Sequence, residues 1–451
     1  MMSDEQLIDS GLGGTKGSVV GTSPTTQPPG NARSSRLKKL SVYLAAYSPA
    51  IFLIGYNIGT GSVTTMATAG AEHGMMMVWP LLLSCIFTYI LILTFGRYTV
   101  VTGETSLYTF RKHFGKPLTL FVLGSFLFSE WISSMGVMAV VCQVIQEWSR
   151  PLTPDGQGIN TVILALLNGA LLYAFFWTGR HKFFELVLTV FVTIMGVSFL
   201  LSMFMVIPDP MEVLKGLAPA LPRDGQTALL MAGMVGTTMG AILFVVRSIL
   251  VQEKGWKVTD FKQEKRDAFV SALLMFLLSA AVMACAAGTL FPRGLHIVNA
   301  IDMVTLLEPL AGRFAISIFV AGIVSAGLSS LFPIILLAPW LIADYKNSPR
   351  QLRTPGTRLL VLFTVSFGLV VPIFGGRPVL IMIASQALCA AASPLAILFM
   401  MILQNRKSIM GEHRATPWLN FWLGSALVFT IIIAVIGIVG VVDLFANGSF
   451  S

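Results

Sequence analysis

From about residue 41 to residue 444 the chain alternates between long apolar runs and short polar connections. A helix that crosses a bilayer needs about 20 apolar residues in succession. Eleven runs meet that length, at about 41–71, 75–98, 117–146, 158–177, 184–207, 225–250, 267–291, 311–342, 357–374, 378–403 and 418–444. The connections at 71–75 and 374–378 are very short. The pattern predicts an all-α integral membrane protein. Ahead of it, residues 1–35 are rich in Ser, Gly, Thr and Pro, which predicts a disordered tail. No continuous apolar stretch lies near Met1, so the tail does not read as a cleavable signal peptide.

Composition and charge sharpen this picture. Hydrophobic residues make up 55% of the chain and charged residues 11%, against about 25% charged in soluble domains. A soluble fold is excluded. The net charge of +9 falls in clusters between apolar runs, which argues against a nucleic-acid partner. Arg33, Arg36, Lys38 and Lys39 precede the first run, and every second connection is then basic: Arg97 to Lys116, Arg180 with Lys182, Lys254 to Arg266, Lys346 to Arg358, and Arg406 to Arg414. Basic connections stay on the cytoplasmic side. The expected arrangement places the N-terminus and its tail in the cytoplasm and the C-terminus outside, in the cell (inner) membrane.

Two runs are interrupted. The first contains Gly55, Gly59 and Gly61 followed by Ser62, Val63, Thr64 and Thr65; the sixth contains Gly233, Gly236, Thr237, Thr238, Met239 and Gly240. Glycine weakens a helix interior and permits unwound backbone. Close packing of helices through small residues is the competing explanation for either segment alone. Their matched positions, first and sixth, instead suggest a 5+5 repeat with a site between discontinuous helices. The repeats would span about 41–207 and 225–403 within a membrane domain of 36–451, with 418–444 as an extra helix.

The chemistry-bearing residues are sparse. Cys85, Cys142, Cys285 and Cys389 lie in apolar runs without CxxC spacing and read as small buried residues. The five histidines sit in or beside connections. No nucleophile–base pair or metal cluster falls at membrane depth, so neither an enzyme nor a cofactor is expected. Glu130 is the acidic residue of the third run and reads as a structural partner of a basic side chain, with Arg358 the candidate. The methionines, Met239 included, read as packing.

Several stretches, in order and spacing, resemble the NRAMP family of metal transporters with the LeuT-type fold. They are Ser48-Pro-Ala with Ala69-Gly-Ala, Val101-Thr-Gly-Glu, Phe184-Glu185, Pro208-Asp-Pro, Gly233-Met-Val-Gly-Thr-Thr, Ser325-Ala-Gly-Leu-Ser-Ser, Ala384-Ser-Gln386 and Met410-Gly-Glu. The resemblance covers about 45–440. It implies a secondary transporter with an inverted repeat, eleven transmembrane helices and helices 1 and 6 broken. The departures fall at the family's metal ligands. The positions of its Asp-Pro-Gly-Asn read Gly59, Thr60, Gly61 and Ser62; those of its Met-Pro-His read Gly240, Ala241 and Ile242; a further histidine reads Arg247. Acidic positions of the third helix read Val137 and Val140.

Without a carboxylate at Gly59, the N-termini of the second half-helices are expected to favour an anion. The expected site comprises Gly59, Thr60, Gly61, Ser62, Val63, Thr64, Thr237, Thr238, Gly240, Ala241, Ile242 and Gln386, with Thr65 as a further hydroxyl and Arg247 in the inner vestibule. No metal ligand is expected. The expected cargo and partner is a small inorganic anion, bicarbonate above all, carried across the lipid bilayer by alternating access. Three readings compete with this one in its parts. The hydroxyls can bond their own backbone, and Arg247 can pair with a carboxylate or reach the interface. Gln386 can bridge helices. Two other functions stay open: a divalent metal cation carrier, for Mg²⁺ or Mn²⁺, and a non-transporting sensor or scaffold.

Overall fold

The computed structural model describes residues 48–178, 181–205, 210–219, 225–297, 308–351 and 353–446. The expected tail at 1–35 and the first residues of the first run lie outside them. Within the described residues every regular element is helical. The first apolar run divides into α1 (Ser48–Asn57) and α2 (Thr60–His73). Next come α3 (Val78–Thr102), the short α4 (Ser106–Phe114), α5 (Lys116–Ser149), α6 (Thr161–Thr178), α7 (His181–Met205) and the short α8 (Pro210–Lys215). The sixth run divides into α9 (Gly225–Met239) and α10 (Ala241–Lys254). The remainder is α11 (Phe261–Thr289), α12 (Glu308–Lys346), α13 (Pro355–Gly368), α14 (Val370–Phe374), α15 (Pro378–Asn405), α16 (Lys407–Met410) and α17 (Pro417–Ala446).

Local chemistry sets the helix ends. α3 stops at Gly103, which takes a left-handed conformation (φ 71°) while its N–H donates to the Thr99 carbonyl. Gly255 ends α10 in the same way at φ 65°. α13 starts on Thr354, whose hydroxyl accepts from the Thr357 N–H, with Pro355 in the first turn where its missing N–H costs nothing.

α15 packs against α5, α9 and α17, and α2 packs against α11. α12 leans on α5, α7 and α1, and Phe52 of α1 stacks on Trp340 of α12 with ring centroids 5.4 Å apart. The broken helices therefore sit inside a ring of unbroken ones. The outer helices turn apolar side chains outward. On α17, Phe421, Val428, Val435 and Val442 are all more than half exposed at seven-residue spacing. Such a stripe is tolerated where hydrocarbon is the solvent.

Candidate functional site

The site is built from the two breaks. At the first, Ile58 and Gly59 leave the helix, and Gly59 is extended (φ −94°, ψ −171°) with no side-chain cap on α2. A Cβ at Gly59 would run into the Ser330 side chain. Hydroxyls of α12 serve the carbonyls that the break frees: Ser329 donates to the Gly55 carbonyl at 3.1 Å, and Ser330 reaches the Gly55 and Tyr56 carbonyls, each at 3.2 Å. At the second break only Gly240 leaves the helix. The Ala241 N–H that opens α10 donates to Ser393 Oγ of α15 at 2.9 Å, and the Thr238 carbonyl accepts from the Thr88 hydroxyl at 2.7 Å. Gly236 has no side chain because α9 there rides on the backbone of Gln386.

Between the breaks lies a cavity of about 30 Å³. Of the expected site residues, Gly59, Gly61, Ser62, Thr237, Gly240, Ile242 and Gln386 line it; Thr60, Val63, Thr64, Thr238 and Ala241 do not. The other lining residues include Tyr56, Asn57, Glu130, Ser133, Ser330 and Cys389, and none is Lys, Arg or His. Glu130 is the one charged side chain among them. Tyr56 Oη donates to its Oε1 at 2.6 Å. Its other oxygen, Oε2, and Asn57 Oδ1 are buried and lack a hydrogen-bond partner among the described residues. Two buried acceptors without donors are costly unless a ligand, a proton or a water supplies what they lack.

Three expectations need correction. First, the hydroxyls are largely spoken for. Thr64 and Thr65 donate to the Gly61 carbonyl at 3.1 and 2.7 Å, one helical turn back. Thr238 bonds Ser84 Oγ at 2.7 Å and the carbonyls of Met234 and Val235. Second, Glu130 does not pair with Arg358, whose guanidinium stacks on the Trp177 ring at 3.8 Å from the centroid. Third, Arg247 adds no positive charge to a vestibule. It is wholly buried, bonds Glu264 Oε1 at 3.3 Å and Asp267 Oδ2, and lies over the Trp256 ring. With both carboxylates ionised that cluster carries one net negative charge.

The argument from helix dipoles also falls away. A break contributes a C-terminus, with roughly half a negative charge, as well as an N-terminus with roughly half a positive one. α1 and α9 offset α2 and α10 to first order, and Glu130 sets the remaining charge. Among the described residues no group of three or more His, Cys, Asp and Glu comes together as a metal cage. An ion held here would take neutral oxygens from Asn57, Ser62 and Gln386 beside a single carboxylate.

Sequence reasoning singled out Glu130 but not its partner or place. Tyr56 and Asn57 went unnoticed, although both immediately precede the first break and Asn57 is a lone amide in an apolar run.

Known proteins place the fold and the family. The divalent metal cation transporter MntH of Erwinia tasmaniensis is 24% identical over 85% of this chain and 90% of its own length. The protein of the same name from Bacillus subtilis is 22% identical over 91% and 96%. The crystal structure of the Eremococcus coleocola manganese transporter superposes with a TM-score of 0.67 at 15% identity, covering 94% of this chain and 90% of that one. A nucleobase-cation-symport-1 transporter in a closed conformation, with bromovinylhydantoin bound, superposes at 0.59 and 15% identity over 88% and 90%. The fold is that of the LeuT-type transporters, a 5+5 inverted repeat with its first and sixth helices broken. The relatives are named for divalent metal cations, which overturns the expectation of bicarbonate as cargo and of a small inorganic anion as partner. Residues 50–440 match the pattern of the natural resistance-associated macrophage protein-like family, and the chain belongs to that family of integral membrane transporters.

Proposed function

We propose that this protein is a secondary transporter of a divalent metal cation, of the Mg²⁺ or Mn²⁺ kind. One observation carries the reading: a cavity between two helix breaks whose single charged side chain is Glu130, with Glu130 Oε2 and Asn57 Oδ1 buried and lacking donors. The names of the relatives point the same way. Oxygen donors suit hard cations such as Mg²⁺ and Mn²⁺. A site of one carboxylate and neutral oxygens binds them weakly, which suits a carrier that must release its cargo.

A water molecule needs about 10–15 Å³ of such space, so the cavity of about 30 Å³ admits an ion with one or two waters at most. The complete hydration shell does not fit. The ion therefore exchanges most of its water for protein oxygens between the breaks and regains it when a half-helix swings aside. Residues 36–451 form the transporting domain, with the N-terminus cytoplasmic and the C-terminus outside, supported by the alternation of basic connections.

The test is uptake into liposomes carrying the purified protein. Mn²⁺ or Mg²⁺ accumulation that saturates, and that Glu130→Gln abolishes in protein that still folds, supports the reading. Liposomes that accumulate bicarbonate, nitrate or chloride but neither metal would overturn it.

A further inference from the structure

Apart from the central cavity, a groove of about 920 Å³ opens between the end of α12 and the start of α13. Its two ends differ in character. One wall is a stripe of α13, Leu359, Leu362 and Phe363, with these side chains 68%, 45% and 44% exposed. Ile342 faces it from α12. The positions 359, 362 and 363 share one helix face, so this wall is a continuous apolar strip on a helix that turns most of its surface outward.

The other end is polar and basic. Lys346, in the last turn of α12, is exposed there, and Arg350 and Thr354 follow in the connection. Arg350 is only partly engaged: Nε lies 3.4 Å from Glu253 Oε1 and Nη2 donates to Gln252 Oε1. Its Nη1 is buried and has no acceptor among the described residues. A guanidinium N–H left this way calls for an anionic oxygen.

We propose that this groove binds one anionic phospholipid, with the headgroup phosphate on Lys346 and Arg350 and an acyl chain along Leu359, Leu362 and Phe363. Charge complementarity selects the lipid. A zwitterionic lipid brings its own cation to the basic end, whereas an anionic headgroup meets Lys346 and the Arg350 Nη1 donor that Glu253 and Gln252 leave unused. Basic pockets between membrane helices at the headgroup level bind anionic lipids for this reason. The site does not depend on which ion the central cavity carries. It would tie α12, whose middle supplies Ser329 and Ser330 to the first break, to the composition of the leaflet.

The experiment is native mass spectrometry of the full-length protein in detergent, with phosphatidylglycerol and phosphatidylcholine added in equal amounts. The expected result is retention of one phosphatidylglycerol in strong preference to phosphatidylcholine. Each basic side chain near a lipid surface contributes about fivefold in affinity. Lys346→Gln should lower retention about fivefold and the Lys346→Gln, Arg350→Gln pair about twenty-five-fold. Glycerol phosphate, which has the anion but no chain, should not displace the lipid. Arg350 also contacts Glu253, so the double variant can lose stability; Lys346 is exposed at a helix end, and its single variant then decides. Equal retention of the two lipids, parent-like retention by Lys346→Gln, or displacement by glycerol phosphate at matched concentration would each overturn the proposal.

Discussion

Replacing Arg247 by Leu removes the cation from a cluster in which Arg247, Glu264 and Asp267 all have fully buried side chains. The wild-type arrangement leaves little slack: Glu264 Oε2 and Asp267 Oδ1 already lack partners among the described residues. Without the guanidinium the two buried carboxylates are left with only the longer-range attraction of Arg97 and Lys254. Breaking a buried pair by deleting one partner costs about 3–5 kcal/mol, and two stranded acids place this case at the upper end. The loss arises on α10 and α11, away from the cavity. Adding Glu264→Gln and Asp267→Asn to Arg247→Leu removes the stranded charges and should recover most of the stability, since neutral replacement of a buried ion cluster is often nearly neutral overall. The assay is unfolding in detergent by a graded denaturant, followed by tryptophan fluorescence. A single variant within about 1 kcal/mol of the parent, or a triple variant worse than the single, would refute the reasoning.

Three further outcomes follow from contacts. Gly236→Ala forces a methyl against the backbone carbonyl of Gln386, which no rotamer change relieves, and should cost about 1–3 kcal/mol. Gly61→Ala meets Met382 Cε at 2.7 Å and Gln386 Nε2 at 2.8 Å, the movable ends of two side chains. It should unfold close to the parent midpoint yet transport poorly, because Gln386 is pushed within the cavity. Asp344 accepts from Thr105 Oγ1 and from the N–H groups of Leu107 and Tyr108, each of these at 3.2 Å, and so holds the start of α4 to α12. Asp344→Ala should cost about 1–3 kcal/mol and speed hydrogen exchange in α4, with Asp344→Asn intermediate; unchanged exchange in the alanine variant would contradict that role.

Much of the architecture was legible because lipid imposes a length. Each of the eleven apolar runs corresponds to a helix or pair of half-helices in the described residues, and Gly59 and Gly240 lie at the breaks that the glycine runs predicted. The chemistry of the site was less so, for physical reasons. The expectation of an anion treated the helix N-termini as free, but the N–H of Ala241 is taken by Ser393, 152 residues away. Nothing local announces that bond. The bond between Tyr56 and Glu130 spans 74 residues and is equally silent. The competing readings of the hydroxyls and of Arg247, which the structure favours, had a signal. Thr64 and Thr65 stand three and four residues after Gly61, the spacing at which a hydroxyl reaches the preceding turn. Arg247, a lone cation in an apolar run, required acids nearby, and Glu264 and Asp267 share a face at the start of the next helix.

The central claim is that a divalent cation sits between the breaks on Glu130 and Asn57. Crystals of the protein soaked with Mn²⁺, with anomalous diffraction recorded at a wavelength where manganese scatters, test it directly. The account predicts a single strong peak in the cavity, about 2.0–2.6 Å from Glu130 Oε2 and Asn57 Oδ1, that disappears in Glu130→Gln crystals of the same form. A cavity without an anomalous peak at saturating Mn²⁺, or a peak that survives in Glu130→Gln, would contradict it.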